Sequence, residues 1–535
     1  MRIACSHDKG LVAVRADGEA HAGLLAQWGP RDRRGLDFVF PNDEGTLRRL
    51  WWLGADVTAA APFRAWRPPL VEGRHAPDPH QLEMAAFMTV HPRCYNGSTP
   101  RTGKTGATAM ALEYLRTHGM PGRTLVVCPL TIVETTWGRT LRPMTGAGVA
   151  ILRGSRERRL KALGDGRPGY LVINPDGLKI LEPELKAMID AGEIDKAVID
   201  ELTAYGDHES GRWRVLNRLL NVGRRVPVVW GLSGTLTAGM EHVFGMARLV
   251  NREQLAYRSL TAWRGAIWYY WGTEAWQHHE RPEAEDIVFQ TLQPQIRYAK
   301  EDVIPDIPGL RTETVMVGLT GAQRDAIGEL RDTGRAWLEG GQEIRGDRKA
   351  SLVQKLFQIS LGHVKAADGA VARLDAGPRL EAIRRIVADG PGKTVIFGTY
   401  VGVNEALVRH LRGRGLTVER VDGSVTGQRR DRIFRAFQDE ADPRALVVHA
   451  MTTAYGTELS RADKMIFNGP MLSGTHVYLQ ALERLSSRWQ AAAEVRAFHV
   501  FATAEERRFQ EGLDGRATRA NCMADAFKAL TGGRA

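Results

Sequence analysis

The stretch Ser98-Thr-Pro-Arg-Thr-Gly-Lys-Thr105 joins a short extended run, Arg93 to Asn96, to a predicted helix that begins at Lys104. A loop that opens a helix in this way is typical of phosphate-binding P-loops, because its amides and the helix N-terminus carry positive partial charge. Lys104 adds a full cation, and the Thr105 hydroxyl can ligate Mg²⁺. The strict pattern has Gly where Ser98 stands, and here Gly97 comes one place early. We therefore expect ATP and Mg²⁺ as ligands, with the phosphates held by Pro100, Arg101, Thr102, Gly103, Lys104 and Thr105.

A second stretch, Lys196-Ala-Val-Ile-Asp-Glu-Leu-Thr203, supplies the acidic groups that a P-loop enzyme needs. An apolar strand ends here in Asp200 and Glu201, and the carboxyl ends of parallel strands meet at one edge of a sheet. Asp200 can hold the metal through water, and Glu201 can act as general base on the attacking water. Lys104 and Glu201 are therefore the first predicted catalytic residues.

Short apolar runs alternate with amphipathic stretches twice, from about 80 to 250 and again after about 378. This alternation predicts an α/β fold with two tandem lobes, each a parallel sheet flanked by helices. The predicted domains are 1–74 (a small α+β N-terminal accessory domain), 75–250 (first lobe), 251–377 (a helical, aromatic-rich insertion), 378–515 (second lobe) and 516–535 (a tail).

The composition is that of a globular protein with a basic surplus. The chain has 535 residues, a net charge of +11, and four scattered cysteines without a C-x-x-C pair. A surplus of this sign is typical of proteins that meet phosphate backbones. No signal peptide or membrane span is indicated, so we expect no membrane partner and a cytoplasmic location.

In their order along the chain, the motifs of the first lobe resemble those of superfamily 2 helicases, and among them the Swi/Snf-like DNA translocases. The family has RecA-like lobes, and the resemblance implies that Gln81, in Pro79-His-Gln81, reads the adenine edge. Leu125 to Leu130, followed by Trp137, is similar to a DNA-backbone motif, which implies a contact from Thr131. Leu232-Ser-Gly-Thr235 looks like the segment that couples hydrolysis to lobe movement, through Ser233, Gly234 and Thr235. Ile296 to Lys300 and Leu319 to Gln323 resemble the passage between the lobes.

The second lobe extends the resemblance, with Asp422-Gly-Ser424 and Arg430 at the family's spacing. Tyr455 to Leu459 is similar to a family motif that implies Gly456 as a contact of ATP. The resemblance also implies DNA contacts from Thr453 and, in the first lobe, from Thr235. Gln480 to Gln490 resembles the motif whose arginines reach the γ-phosphate, which implies Arg484 as a catalytic group. The family's second arginine falls where Ser487 stands, so either Arg488, one position later, is the second catalytic arginine or Arg484 acts without one.

These features predict an ATP-dependent DNA translocase or helicase that grips DNA, with the double-stranded form favoured, through backbone contacts. A strand-separating DNA or RNA helicase is an alternative. Another is an ATP-gated clamp or motor subunit with little turnover. Because the chain ends soon after the second lobe, a compact bacterial or phage-type member is expected. Protein partners are not indicated.

An aromatic run in the insertion has two interpretations. Exposed rings could stack on unpaired bases as a wedge. Helical spacing from Trp263 through Ile267 to Tyr270 instead favours a packed helical hairpin, which is the interpretation we prefer. The full run comprises Trp263, Trp268, Tyr269, Tyr270, Trp271 and Trp276.

Overall fold

The computed structural model has two compact units, which divide after Val303. Each unit is described by itself. The structure describes residues 1–69, 75–223, 225–234, 239–252, 255–270, 278–304, 308–338, 341–346, 349–425, 427–449, 459–472, 475–485, 490 and 492–511.

The first unit begins with a small antiparallel sheet of four strands, in the order first, second, fourth, third. Its alternating pattern buries Val12, Val14, Phe38 and Phe40 on one face. The strands and helices of this part are Arg2–Ser6, Leu11–Arg15, Asp32–Arg34 and Asp37–Pro41, with helices Glu19–Gln27 and Glu44–Trp52 and the 3₁₀ turns Thr58–Ala60 and Pro62–Ala65.

The core of the first unit is a parallel sheet of seven strands, covered by helices. In spatial order the strands are Gln295–Ile296, Arg93–Asn96, Val228–Leu232, Ile194–Asp200, Arg123–Val127, Tyr170–Ile173 and Val149–Leu152. The helices of eight or more residues are Pro79–Val90, Lys104–Thr117, Arg156–Gly164, Glu182–Asp190, Gly211–Asn221, Met240–Val250, Leu260–Ile267 and Ala284–Thr291. Shorter helices are Arg139–Leu141, Pro175–Ile180 and Lys300–Val303.

The second unit contains a parallel sheet of six strands. In spatial order they are Gly309–Met316, Glu494–Phe501, Ala462–Asn468, Lys393–Gly398, Ala445–His449 and Val418–Val421. The helices are Gly321–Thr333, Lys349–Ser360, Gly377–Ala388, Val401–Gly413, Gly427–Asp439, Thr475–Leu482 and 504–511. Each of the first two helices is followed along the chain by a small antiparallel hairpin. The first hairpin pairs Arg335–Trp337 with Glu343–Arg345, and the second pairs His363–Lys365 with Val371–Arg373. The predicted α/β fold class, with two tandem lobes that are each a parallel sheet flanked by helices and a small N-terminal domain, is confirmed. The segment 251–377, predicted to be helical, instead mixes helices with strands and supplies an edge strand to each large sheet, Gln295–Ile296 and Gly309–Met316.

The aromatic run is packed only in part where the structure describes it, since Trp263 is buried, Trp268 is half-buried and Tyr269 is 45% exposed. Its local structure also differs from the expected helical hairpin. Trp263 is fully buried and donates its indole N–H to the Met240 carbonyl at 3.1 Å. The helix ends at Ile267, and Trp268–Tyr270 forms a strand paired with His278–Glu280. The helical spacing through Tyr270 was therefore misleading, because three consecutive aromatic residues favour a pleated strand. Trp271 and Trp276 lie outside the described residues.

Among the described residues, no helix combines the length and the apolar character needed to cross a membrane.

Candidate nucleotide-binding site

Four neighbouring strands of the first unit bring the predicted motifs to one edge of the sheet. The P-loop strand Arg93–Asn96 pairs with Val228–Leu232, which pairs with Ile194–Asp200, which pairs with Arg123–Val127. Leu232 stands opposite both Asn96 and Asp200, so these strands end at the same level. The P-loop, the Ser233-Gly234 segment, the acidic pair and the segment after Val127 therefore leave the sheet side by side.

The loop itself has the backbone of a tight phosphate-binding turn. Gly103, which precedes the helix Lys104–Thr117, has φ of +85°, and Arg101 has φ of +70°. The left-handed conformation of Gly103 favours glycine, and a methyl group there would also push the Gln81 side chain aside. The helix thus begins with its first amide groups beside the loop, where they favour an anion.

The residue that departs from the strict P-loop pattern is held by specific contacts. Ser98 is fully buried, and its hydroxyl accepts a hydrogen bond from the Tyr298 amide at 3.1 Å. Neighbouring backbone bonds join Gly97 to Ile296 at 2.8 Å and Thr99 to Tyr298 at 2.9 Å. A side chain at position 98 therefore ties the loop to the segment that follows Gln295–Ile296.

Lys104 and Pro100 show how closely the loop is packed. The Lys104 ammonium donates to the carbonyls of Ser98 at 2.6 Å and Thr99 at 3.0 Å, so it lies within the curve of the loop. A methyl group on Gly234 would come within 2.7 Å of Pro100 Cδ. The coupling segment and the P-loop are therefore in direct contact.

Gln81 lies against the loop, as its predicted role requires. Its Oε1 accepts from the Asp78 amide at 3.2 Å, and its Nε2 donates to the Thr102 carbonyl at 3.4 Å. The neighbouring His80 is buried and contacts the same carbonyl through Nε2 at 2.9 Å. Both side chains brace the turn at Thr102, and the adenine contact of Gln81 stays a prediction.

The acidic pair has the unusual electrostatics expected of a functional site. Burial, together with the neighbouring Glu201 carboxylate, raises the pKa of Asp200 to about 6. The Trp137 indole and the charge of Lys104 act in the opposite direction. Glu201 has φ of +55°, a left-handed conformation that is uncommon for a residue with a side chain and concentrates at functional sites.

The acidic motif and the coupling segment share a side-chain hydrogen bond. Thr203 Oγ1 and Ser233 Oγ lie 3.3 Å apart, and the Ser233 amide donates to the Asn96 carbonyl at 3.2 Å. Ser233 thus links the strand before the P-loop to the segment after Asp200.

Thr105 and Asp200 fit Mg²⁺ by their chemistry. Thr105 follows Lys104 in the first turn of the helix, and the Lys104 charge acts on Asp200. Hydroxyl and carboxylate oxygens suit this cation, which also draws on phosphate oxygens. In the described part of the chain, no group of three or more His, Cys, Asp or Glu is arranged to hold a metal.

The remaining predicted site residues are less informative. Thr131 is half-buried, and its hydroxyl is enclosed without a hydrogen-bond partner among the described residues, so it does not face solvent as a phosphate contact would. Arg484, in the second unit, is half-buried just after the helix Thr475–Leu482. Thr235, Thr453, Gly456 and Arg488 lie outside the described residues.

Trp137 contacts the candidate site, although the sequence predicts it only as part of a motif that contacts DNA. Trp137 is fully buried, and its indole N–H donates to Asp200 Oδ2 at 2.7 Å. It was recognised only as part of a DNA-backbone motif. The sequence carries no signal for this contact, because it depends on the strands Arg123–Val127 and Ile194–Asp200 being neighbours in the sheet.

Comparisons with known proteins give distant resemblances to helicases and Swi/Snf ATPases. A chromodomain-helicase-DNA-binding protein 1-like protein of Danio rerio is 24% identical over 421 residues, covering 73% of this chain and 38% of the relative. The chain therefore spans less than two-fifths of that relative's length. No family model matches the chain.

Two solved structures align with most of the chain at low similarity. One is a SWI2/SNF2 ATPase core of Sulfolobus solfataricus in complex with double-stranded DNA, with 16% identity and a TM-score of 0.40, covering 86% of this chain and 98% of that one. The other is the Hef helicase domain of Pyrococcus furiosus, with 15% identity and a TM-score of 0.46, covering 82% of this chain and 98% of that one.

Proposed function

We propose that this protein is a Swi/Snf-like superfamily 2 ATPase that hydrolyses ATP and uses the energy to move along duplex DNA. The observation that carries the proposal is the meeting of three motifs at one sheet edge. Pro100 contacts the Gly234 position, Ser233 contacts Thr203, and the charge of Lys104 acts on Asp200. Any one motif could recur by chance, but their meeting in space requires the whole lobe.

In the proposed reaction, the first unit binds and activates the nucleotide. Lys104 and the amides at the start of its helix stabilise the charge on the ATP phosphates. Glu201 orients the attacking water and accepts its proton. Thr105 and Asp200 would hold Mg²⁺, which when bound neutralises phosphate charge during phosphoryl transfer. Arg484 and Arg488 of the second unit are proposed to add positive charge to the transition state.

The proposed DNA contact has independent but less specific support. The net charge is +11, and a basic surplus favours binding to phosphate backbones through contacts that carry little sequence information. The name of the Danio rerio relative joins helicase activity with DNA binding, which agrees with this proposal. Thr131, Thr235 and Thr453 remain proposed contacts, and the burial of the Thr131 hydroxyl favours a contact through its backbone.

A triplex-displacement assay tests the translocation step. The substrate is a duplex carrying a third DNA strand, with a forked duplex and an RNA duplex as parallel substrates and the Lys104→Ala variant as the control. The proposal predicts ATP-dependent loss of the third strand with the fork left intact. Unwinding of the fork or of RNA without third-strand loss would identify a strand-separating helicase. ATP-dependent DNA binding without displacement or turnover would identify a clamp, and either result overturns the translocase assignment.

A further inference from the structure

Both oxygens of the Asp200 carboxylate are oriented by hydrogen bonds. The Trp137 indole N–H donates to Oδ2 at 2.7 Å, and the Glu201 amide donates to Oδ1 at 3.0 Å. Because the two donors approach different oxygens, the carboxylate cannot rotate without losing one of these bonds. The direction of its remaining lone pairs is therefore fixed by the protein.

Trp137 is aimed at Asp200 by an irregular turn. The residues Val133–Gly138 are wound more widely than an α-helix, with the Trp137 amide bonded at 3.0 Å to the carbonyl of Ile132, five residues earlier. Such π-type turns are uncommon and often occur at functional sites. The turn follows Arg123–Val127, the strand next to Ile194–Asp200, which brings the indole to the end of the acidic strand.

A purely apolar side chain would be enough if this position needed packing alone, because an indole brings an N–H group that must find an acceptor. A buried tryptophan must satisfy its N–H, and most donors do so with a backbone carbonyl. Trp230, Trp213 and Trp263 follow that rule in this unit, donating to the carbonyls of His91, Gly245 and Met240. Trp137 instead donates to a carboxylate, and charge-assisted hydrogen bonds of this kind are the stronger ones.

We propose that Trp137 is a positioning residue that orients Asp200 for Mg²⁺ bound with the nucleotide. This inference rests on the proposed function, because it takes Asp200 as the residue that holds the metal through water. The indole does not touch the nucleotide in this scheme. It acts only through Asp200, as the partners of metal-binding carboxylates do in other proteins.

A second consequence concerns the segment that carries Trp137. Residues 129–138 follow the strand Arg123–Val127 and include Leu130, which is 57% exposed. Ile132, Val133 and Trp137 of this segment are buried, so a ligand that shifts the segment from its exposed Leu130 side would also displace the indole from Asp200. Trp137 therefore joins the segment proposed to meet DNA to the residue proposed to hold the metal.

The experiment measures binding of a fluorescent ADP analogue over a range of Mg²⁺ concentrations, without turnover. Trp137→Phe should raise the Mg²⁺ concentration for half-maximal binding by about tenfold or more, the usual effect of losing such a partner. The affinity measured in EDTA should not change. Trp230→Phe is the matched control, because Trp230 is equally buried in the same unit, on the strand Val228–Leu232, and donates to the His91 carbonyl at 2.9 Å. It should leave the Mg²⁺ requirement unchanged.

Asp200→Asn separates the two proposals. If it raises the Mg²⁺ requirement and Trp137→Phe does not, the positioning role is wrong and the nucleotide site stands. If neither variant changes the requirement, the metal assignment of Asp200 fails, and the positioning role fails with it. The positioning role also predicts that Trp137→Phe adds no further effect in the Asp200→Asn background, and additive effects would overturn it.

A second measurement applies if Trp137→Phe does not fold. In wild-type protein labelled with ¹⁵N-tryptophan, one indole N–H resonance should move on Asp200→Asn substitution, and the same resonance should move when Mg²⁺ is added in the presence of ADP. An Asp200-sensitive resonance that ignores Mg²⁺ would overturn the proposal.

Discussion

The hydroxyl groups of Thr203 and Ser233 lie 3.3 Å apart, which joins the acidic motif to the coupling segment by one side-chain hydrogen bond. Thr203 follows Asp200 and Glu201 by two to three residues, and Ser233 precedes Gly234, the position that contacts Pro100 of the P-loop. These two hydroxyl groups therefore complete a continuous path of contacts between the acidic pair and the P-loop.

Ser233→Ala should reduce the DNA-stimulated ATPase rate by about fivefold, since a neutral hydrogen bond contributes about 1 kcal/mol. Nucleotide affinity should stay within about twofold, because the lost bond is not made to the phosphates. Thr203→Val should behave in the same way, and the double variant should lose no more than either single one. Steady-state kinetics and ADP-analogue titration measure both quantities. Additive losses, or a fall in affinity, would contradict the coupling role.

Gly103→Ala should abolish nucleotide binding and destabilise the first unit. Its φ of +85° is costly for alanine by about 1–2 kcal/mol, and the added methyl group would overlap Gln81. Gly106→Ala is the matched control, because it lies in the same helix and a methyl group there meets nothing within 4 Å. That change should stabilise the helix by up to about 1 kcal/mol and leave nucleotide binding intact. Equal behaviour of the two variants would refute this account of the loop.

Glu506→Gln should destabilise the second unit by about 3–5 kcal/mol, because it leaves the Arg379 guanidinium buried without its partner charge. Arg379 and Glu506 are almost completely buried, and two hydrogen bonds join them at 2.7 and 2.9 Å. Glu505→Gln is the control, since its pair with Arg331 at 2.7 Å is partly exposed and should contribute less than about 1 kcal/mol. Urea unfolding of both variants measures the difference. Similar losses would show that the buried pair is not a special support of this unit.

His91 should make the stability of the first unit depend on pH. Burial, and secondarily the charge of Arg48, lowers the pKa of His91 from 6.5 to about 3. Below pH 6.5, His91 binds a proton in the unfolded chain but stays neutral in the folded one, so protonation favours unfolding. The free energy of unfolding is therefore highest above pH 6.5 and falls as the pH decreases toward 3. His91→Leu removes the titration. Between pH 7.5 and 5.0, wild type should lose about 2 kcal/mol more unfolding free energy than this variant. Equal losses in the two proteins would show that the pKa of His91 is not lowered in the folded state.

Much of the fold could be predicted because its central strands are short apolar runs. Tyr170–Ile173 and Ala445–His449, for example, are runs of four and five residues that are almost entirely buried inside their sheets. Edge strands were harder to recognise. Gly309–Met316 lies at the edge of its sheet and is largely exposed, so its sequence mixes charged and apolar residues without a buried run.

The candidate site was predictable where its chemistry is local in sequence, as in the P-loop and the acidic pair. Contacts between distant segments could not be predicted, because they depend on strand order. Trp137 and Asp200 are 63 residues apart, and they meet only because their strands are neighbours. The Tyr298 amide and the Ser98 hydroxyl are 200 residues apart in sequence. Their hydrogen bond gives a structural reason for serine at the position where the strict P-loop pattern has glycine.

In the proposed function, duplex DNA drives ATP hydrolysis at the Lys104 and Glu201 site. The most direct measurement is the steady-state ATPase rate of wild type, Lys104→Ala and Glu201→Gln, each without nucleic acid and with duplex DNA, single-stranded DNA or RNA. We predict strong stimulation of wild type by duplex DNA, and no turnover in either variant despite retained DNA binding. A wild-type rate that duplex DNA leaves unchanged, or full activity in Lys104→Ala, would contradict the account.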